Sequence, residues 1–179
     1  MKSRHPLIKR LAAGISALAI VTGLSACSAQ PGTALSVDGK VYSEDEVSAA
    51  SQELSEMFQT PYTSVDIINM LIPSQSAISV AKKHNIEMSD EDVRKAMATQ
   101  IEDGAEEMSD TSVDVLRSSW MIGTLQQTLD PETATNELLE ALNNSDIDLN
   151  PRYGGLSKEN LMTPPILLGV LDPALQAGN

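Results

Sequence analysis

Hydrophobic positions follow two rhythms along this chain. Ala34-Leu-Ser-Val37 and Lys40-Val-Tyr42 are short extended pieces on either side of Asp38-Gly39, a pair that readily takes the positive φ angles of a hairpin turn. So small a hairpin is not stable alone, and it needs another strand or helices over it. From Ser43 onward the apolar spacing becomes three and four. Ser43 with Glu46 forms a capping-box pattern, and Val47, Ala50, Leu54, Met57 and Phe58 mark one face of a helix over about 44–59. Pro61 ends it. Thr63 or Ser64 opens an apolar segment carrying Val65, Ile67, Ile68, Leu71, Ile72, Ile78, Val80 and Ala81, interrupted by Pro73. Proline removes a helix hydrogen bond and clashes with the preceding turn, so a kink or break is expected near Ile72. Lys82, Lys83 and His84 suit the negative end of the helix dipole.

Ser89 caps the next predicted helix, with Asp90, Glu91 and Asp92 in its first turn and Val93, Met97 and Ile101 on one face. Gly104 and the acids Glu102, Asp103, Glu106, Glu107 and Asp110 read as a solvated connection. Thr111 or Ser112 begins a helix bearing Val113, Val115, Leu116, Trp120, Ile122, Leu125 and Leu129. Asp130-Pro131 is an N-cap with a first-turn proline, and Leu138, Leu139 and Leu142 give the following helix its buried face. Asp146-Ile-Asp-Leu149 then alternates like a strand that can return to the first one. The expected fold is mainly α, about five helices between short N- and C-terminal strands that can pair.

The N-terminus obeys neither rhythm. Lys2, Arg4, Lys9 and Arg10 form a cationic head, and Leu11 to Gly23 is an uncharged, aliphatic span. That is a secretion signal, shorter than the roughly 20 residues a helix needs to cross a bilayer. Its ending, Leu24-Ser25-Ala26-Cys27, resembles the lipobox of bacterial lipoproteins. Small side chains at Ser25 and Ala26 let a peptidase close around the backbone, and only a thiol can form the thioether to a diacylglyceryl group. Residues 1–26 are therefore read as a lipoprotein signal peptide, with Leu24, Ser25 and Ala26 as its recognition residues and Cys27 as the lipidation site. Two or three acyl chains hold a protein persistently on a membrane, because each buried methylene contributes about 0.8 kcal/mol. The expected location is the extracytoplasmic face of the cell membrane. Residues 27–33, with Pro31-Gly32, form a tether whose six residues beyond Cys27 span at most about 20 Å.

Composition narrows the function. Four of the twelve Lys and Arg precede Cys27 and none of the twenty-five acids does, leaving eight cations against twenty-five acids. A body so acidic does not bind nucleic acid through phosphate contacts and is repelled by anionic headgroups. Cys27 is the only cysteine, so there is no intramolecular disulfide and the fold rests on packing. His84 is the only histidine after His5. A Ser-His-Asp relay would have to run through it, no Gly-X-Ser-X-Gly surrounds a serine, and phosphate-cradling glycine loops are missing. The Glu102 to Asp110 run lacks the glycine and terminal glutamate spacing of a calcium loop. No catalytic, cofactor or metal site is predicted. Seven methionines against five aromatics beyond residue 27 point to adaptable apolar binding, with Met70, Met97 and Met121 as candidate peptide-binding side chains, or to gap-filling in a helical core.

Three segments carry a resemblance. Ala34 to Val47 resembles the opening strand, turn and capped helix of the SurA-type N-terminal chaperone domain, shared with the PrsA and trigger-factor-like group. Ala81 to Val93 is similar to that family's second signature, where a helix ends and Ser-Asp-Glu starts the next. Asn150-Pro-Arg-Tyr-Gly154 resembles the closing segment of small actinobacterial lipoproteins of this kind. The resemblance implies a helical domain over residues 34–154 whose first and last extended segments meet, with a cradle for unfolded or extended polypeptides. Relatives often carry a parvulin prolyl isomerase module. About 25 residues follow Gly154, too few for one, so no isomerase activity is expected. The expected function is a lipid-anchored chaperone-like protein, the alternative a dedicated interaction or assembly subunit of the envelope. Residues 155–179 are read as a tail that packs across the domain or hangs free.

Overall fold

Asp38 (φ 50°) and Gly39 (φ 83°) turn the chain back on itself, as the Asp-Gly pair predicts. The computed structural model describes residues 31–100 and 107–163. The signal region with Cys27, residues 101–106 and the segment from Pro164 onward lie outside the described residues. The turn joins β1 (Thr33–Val37) to β2 (Lys40–Ser43), pairing Leu35 with Tyr42 and Val37 with Lys40. β3 (Ile147–Leu149) returns antiparallel on the other side of β1, pairing Leu149 with Leu35. The sheet order is β2-β1-β3.

Six α-helices lie between β2 and β3 among the described residues: α1 (Glu44–Phe58), α2 (Ser64–Leu71), α3 (Ser74–Lys83), α4 (Asp90–Ala98), α5 (Asp110–Thr128) and α6 (Pro131–Asn143). The fold is mainly helical. The sixth helix arises at Pro73, which sits at the N-cap of α3 and has no N–H with which to continue α2. Capping boxes start α1, α2 and α4, at Ser43/Glu46, Thr63/Asp66 and Ser89/Asp92. α5 starts earlier than Thr111 or Ser112, because Ser109 is its cap and accepts the Ser112 N–H.

α5 is the central helix. Val113, Asp114, Val115, Leu116, Ser118, Met121 and Leu125 are all buried, and together they occupy several faces of the helix. Its first half closes the larger core, with Leu35, Val37 and Tyr42 from the sheet, Val47 and Leu54 from α1, Ile67, Ile68 and Leu71 from α2, and Val93 and Met97 from α4. Its second half joins Ala77, Val80 and Ala81 of α3 in a smaller core flanked by Leu138 and Ala141 of α6.

Three expectations about burial need correction. Phe58 and Leu139, placed by spacing on buried faces, are 38% and 43% exposed. Met108, in the stretch read as solvated, is buried. Beyond Gly154, in the segment read as packing across the domain or hanging free, β4 (Gly155–Leu156) and β5 (Met162–Thr163) pair as a second hairpin. Leu156 and Met162 pack on the core, and the Asn160 amide donates to the carbonyls of Leu142 and Ser145 at the end of α6. Those helix-end carbonyls need donors, and the hairpin supplies them.

Candidate functional site

Lys82 and Ile86, on either side of the end of α3, line one side of a cleft. α3 ends with Asn85 in the left-handed region (φ 57°), the Ile86 N–H donating to Ala81 O at 2.9 Å and the Asn85 N–H to Lys82 O at 3.2 Å. This Schellman arrangement satisfies terminal carbonyls and turns Ile86 back against the helix. Ser89 then starts α4, which confines Glu87 and Met88 to a short link. Between α3, that link and α5 lies a cavity of about 350 Å³ with Ile78, Ile86, Met88 and Met121 on its apolar side and Lys82, Glu87 and Asp92 among its polar lining. The Asp92 carboxyl is held below its ordinary range, first by the Ser89 hydroxyl and then by the Ser89 N–H. It therefore keeps its charge at neutral pH.

The three methionines singled out by sequence part company here. Met121 is 3% exposed and borders the cleft. Met97, 1% exposed, fills the larger core, and Met70 is partly buried against it. Ile86 and Met88 were missed because they lie in a link without helical periodicity. Asn85 carries the signal that could have found them, since asparagine after a helix ending in cations marks a left-handed C-terminal turn.

A second cavity, about 280 Å³, lies between α3 and α6 and is lined mainly by polar groups, among them Gln75, Ser76, Ser79, Lys83, Glu140 and Asn144. His84 is less isolated than its place at a helix end suggests. Its Nε2 lies 3.0 Å from Glu137 Oε2, tying α3 to α6.

A buried charged cluster underlies the sheet. Asp114, 4% exposed, takes the Lys40 ammonium at 2.5 Å, the Tyr42 hydroxyl at 3.2 Å and the Arg117 guanidinium, which also reaches Asp90. Burial first, and then the Asp114 charge, push the Tyr42 phenol far above its ordinary pKa. These ion pairs and hydrogen bonds join β2, α4 and α5. At the sheet's other end, the Asn150 amide donates to Thr33 O at 2.8 Å and to Glu44 Oε1 at 3.0 Å, and Arg152 donates to Glu44 Oε2 at 2.9 Å. The Asn-Pro-Arg segment thus locks the end of β3 onto the start of α1.

Among the described residues no group of three or more His, Cys, Asp or Glu is placed to hold a metal ion. No described helix is long and apolar enough to cross a membrane. Compared with known proteins, the chain matches no family model, no curated protein and no solved structure.

Proposed function

We propose that this is a lipid-anchored extracytoplasmic protein, attached through Cys27, that binds unfolded or extended polypeptides at the membrane surface without catalysis. The cleft carries this reading: an open concavity whose apolar side includes two methionines, Met88 and Met121, in a body with no disulfide and a strong negative charge. Methionine is unbranched and polarizable, so such a surface accepts side chains of varied shape. Charge on the body keeps it soluble while it holds an apolar partner.

The volume also favours a second reading. A cavity of about 350 Å³ sits at the small end of ligand-sized pockets, which suits one short segment of a single dedicated envelope partner. The two readings differ in breadth.

The test is suppression of aggregation. The full chain is expected to slow aggregation of several chemically unrelated unfolded clients at near-equimolar ratio, and Met88→Asp is expected to reduce the effect while leaving the circular dichroism spectrum unchanged. No suppression across the panel sinks the chaperone reading. In-cell cross-linking from the cleft then gives one partner for a dedicated subunit and many for a chaperone.

A further inference from the structure

The turn between α1 and α2 exposes apolar side chains beside two acids, Glu56 and Asp66. Phe58 is 38% and Val65 39% exposed, Pro61 is exposed between them, and the Phe58 and Tyr62 rings meet edge to face at 6.5 Å. The turn is held in place. Ser55 Oγ accepts the Tyr62 N–H at 2.8 Å, and Tyr62 packs on the core.

Two acids lie beside this tip, Glu56 in the last turn of α1 and Asp66 in the first turn of α2, and from Val41 to Ala81 the chain has no Lys or Arg. Glu56 and Asp66 flank the exposed apolar residues, and neither forms an ion pair among the described residues. The C-terminal, negative end of the α1 dipole points at the same place, with no basic residue in the last turn. The opposing positive end of α2 is already answered by Asp66, whose carboxylate takes the Thr63 N–H at 2.8 Å.

We propose that this tip, Phe58, Pro61, Tyr62 and Val65 with Glu56 and Asp66 beside it, docks polypeptide segments in which aliphatic residues are flanked by Lys or Arg. The apolar centre supplies contact area and the acidic surround selects cations, the arrangement of a hydrophobic patch within a polar rim. The inference deepens the polypeptide-binding reading and rests on it, but uses a surface separate from the cleft.

Geometry favours a polypeptide over a lipid surface. The Glu44 N–H bonds Gly32 O at 2.7 Å, so α1 starts where the chain enters from the Cys27 side. Its 15 residues carry Phe58 about 22 Å along the axis away from that entry. The tip thus lies at the end of α1 opposite the chain's entry, and its acids repel anionic headgroups.

The experiment is fluorescence anisotropy on the full chain in nonionic detergent, with a labelled peptide of leucines flanked by lysines. Binding is expected to weaken in high salt, to be lost when glutamates replace the lysines, and to fall roughly tenfold or more in a Phe58→Ser, Val65→Ser double variant. Both side chains are exposed, and unchanged thermal unfolding establishes that this variant is folded. Equal binding of the two peptides, undiminished binding by the double variant, or no binding at all overturns the proposal. If Met88→Asp abolishes peptide binding while the double variant does not, the cleft is the site. The tip is then excluded and the chaperone reading survives. Attachment to phosphatidylglycerol vesicles that is lost in the double variant would make the tip a lipid contact instead.

Discussion

The Glu53 carboxylate accepts the Ser109 backbone N–H at 2.9 Å across 56 positions of chain. It also takes the Ser109 hydroxyl at 2.7 Å and contacts the Ser112 hydroxyl. A side chain from the middle of α1 thereby sits at the N-terminus of the central helix, where free N–H groups and the dipole favour a negative charge. Glu53→Ala is expected to cost about 1–2 kcal/mol, seen as a lower urea midpoint with an unchanged slope. Glu53→Gln keeps an acceptor without the charge and is expected to cost less.

Asp114 is the more demanding site. Removing its carboxylate takes an acceptor from the Tyr42 hydroxyl and leaves Arg117, 15% exposed, with Asp90 as its counter-charge, and Lys40 without its ion pair. Asp114→Ala is expected to destabilise by about 3 kcal/mol or more. Lys40→Met is expected to cost clearly less, because the Lys40 side chain is 42% exposed and water replaces much of its pairing. Denaturant titration of both variants checks the order, and a larger loss at Lys40 would contradict it.

Acid is expected to weaken the helix starts. The carboxyls of Glu46 and Asp66 are held below their ordinary values by the Ser43 and Thr63 hydroxyls first and by the backbone N–H groups of the same residues second. With a depressed folded pKa, the unfolded chain binds more protons, so stability rises with pH. The contribution is present above the ordinary carboxylate range and disappears as pH falls through the lower folded values. Urea midpoints should therefore fall between about pH 5 and pH 3, and Thr63→Ala, costing about 1 kcal/mol at neutral pH, should make that fall shallower.

Cys27→Ser tests the attachment independently of the folded body. Without the thiol no thioether can form, so the variant is expected to remain unprocessed or to leave the membrane fraction. Intact mass and membrane partition read the result. An unmodified sulfur on the wild-type protein, or unchanged partition of the variant, removes the anchor.

Much of the local structure is legible from residue order. Asp38-Gly39, the Ser43/Glu46 box, Pro73 and Asp130-Pro131 each act through bonds to residues within a few positions, so their consequences do not await the fold. Apolar spacing found the inward faces of α1 and α4 but misplaced Phe58 and Leu139, which lie at the margins of their stripes. Whether a marginal position is covered depends on which neighbour arrives there. α5 was harder to orient, because a helix surrounded on several sides shows no single apolar stripe and buries Ser112, Asp114 and Ser118 among its hydrophobic residues.

The site divides in the same way. Met121 was visible as an apolar helical position, whereas Ile86 and Met88 became part of a cleft only when the end of α3 was brought against α5. Sequence alone determined the hairpin, the starts of α1, α4 and α6, the break at Pro73 and the excess of acid, since these follow from backbone geometry and composition. Tertiary structure decided that Glu53 caps α5, that Asp114 is buried among cations, and that Phe58 and Val65 face solvent. Those outcomes join residues far apart in the chain, and their partners are set by packing, which no local spacing encodes.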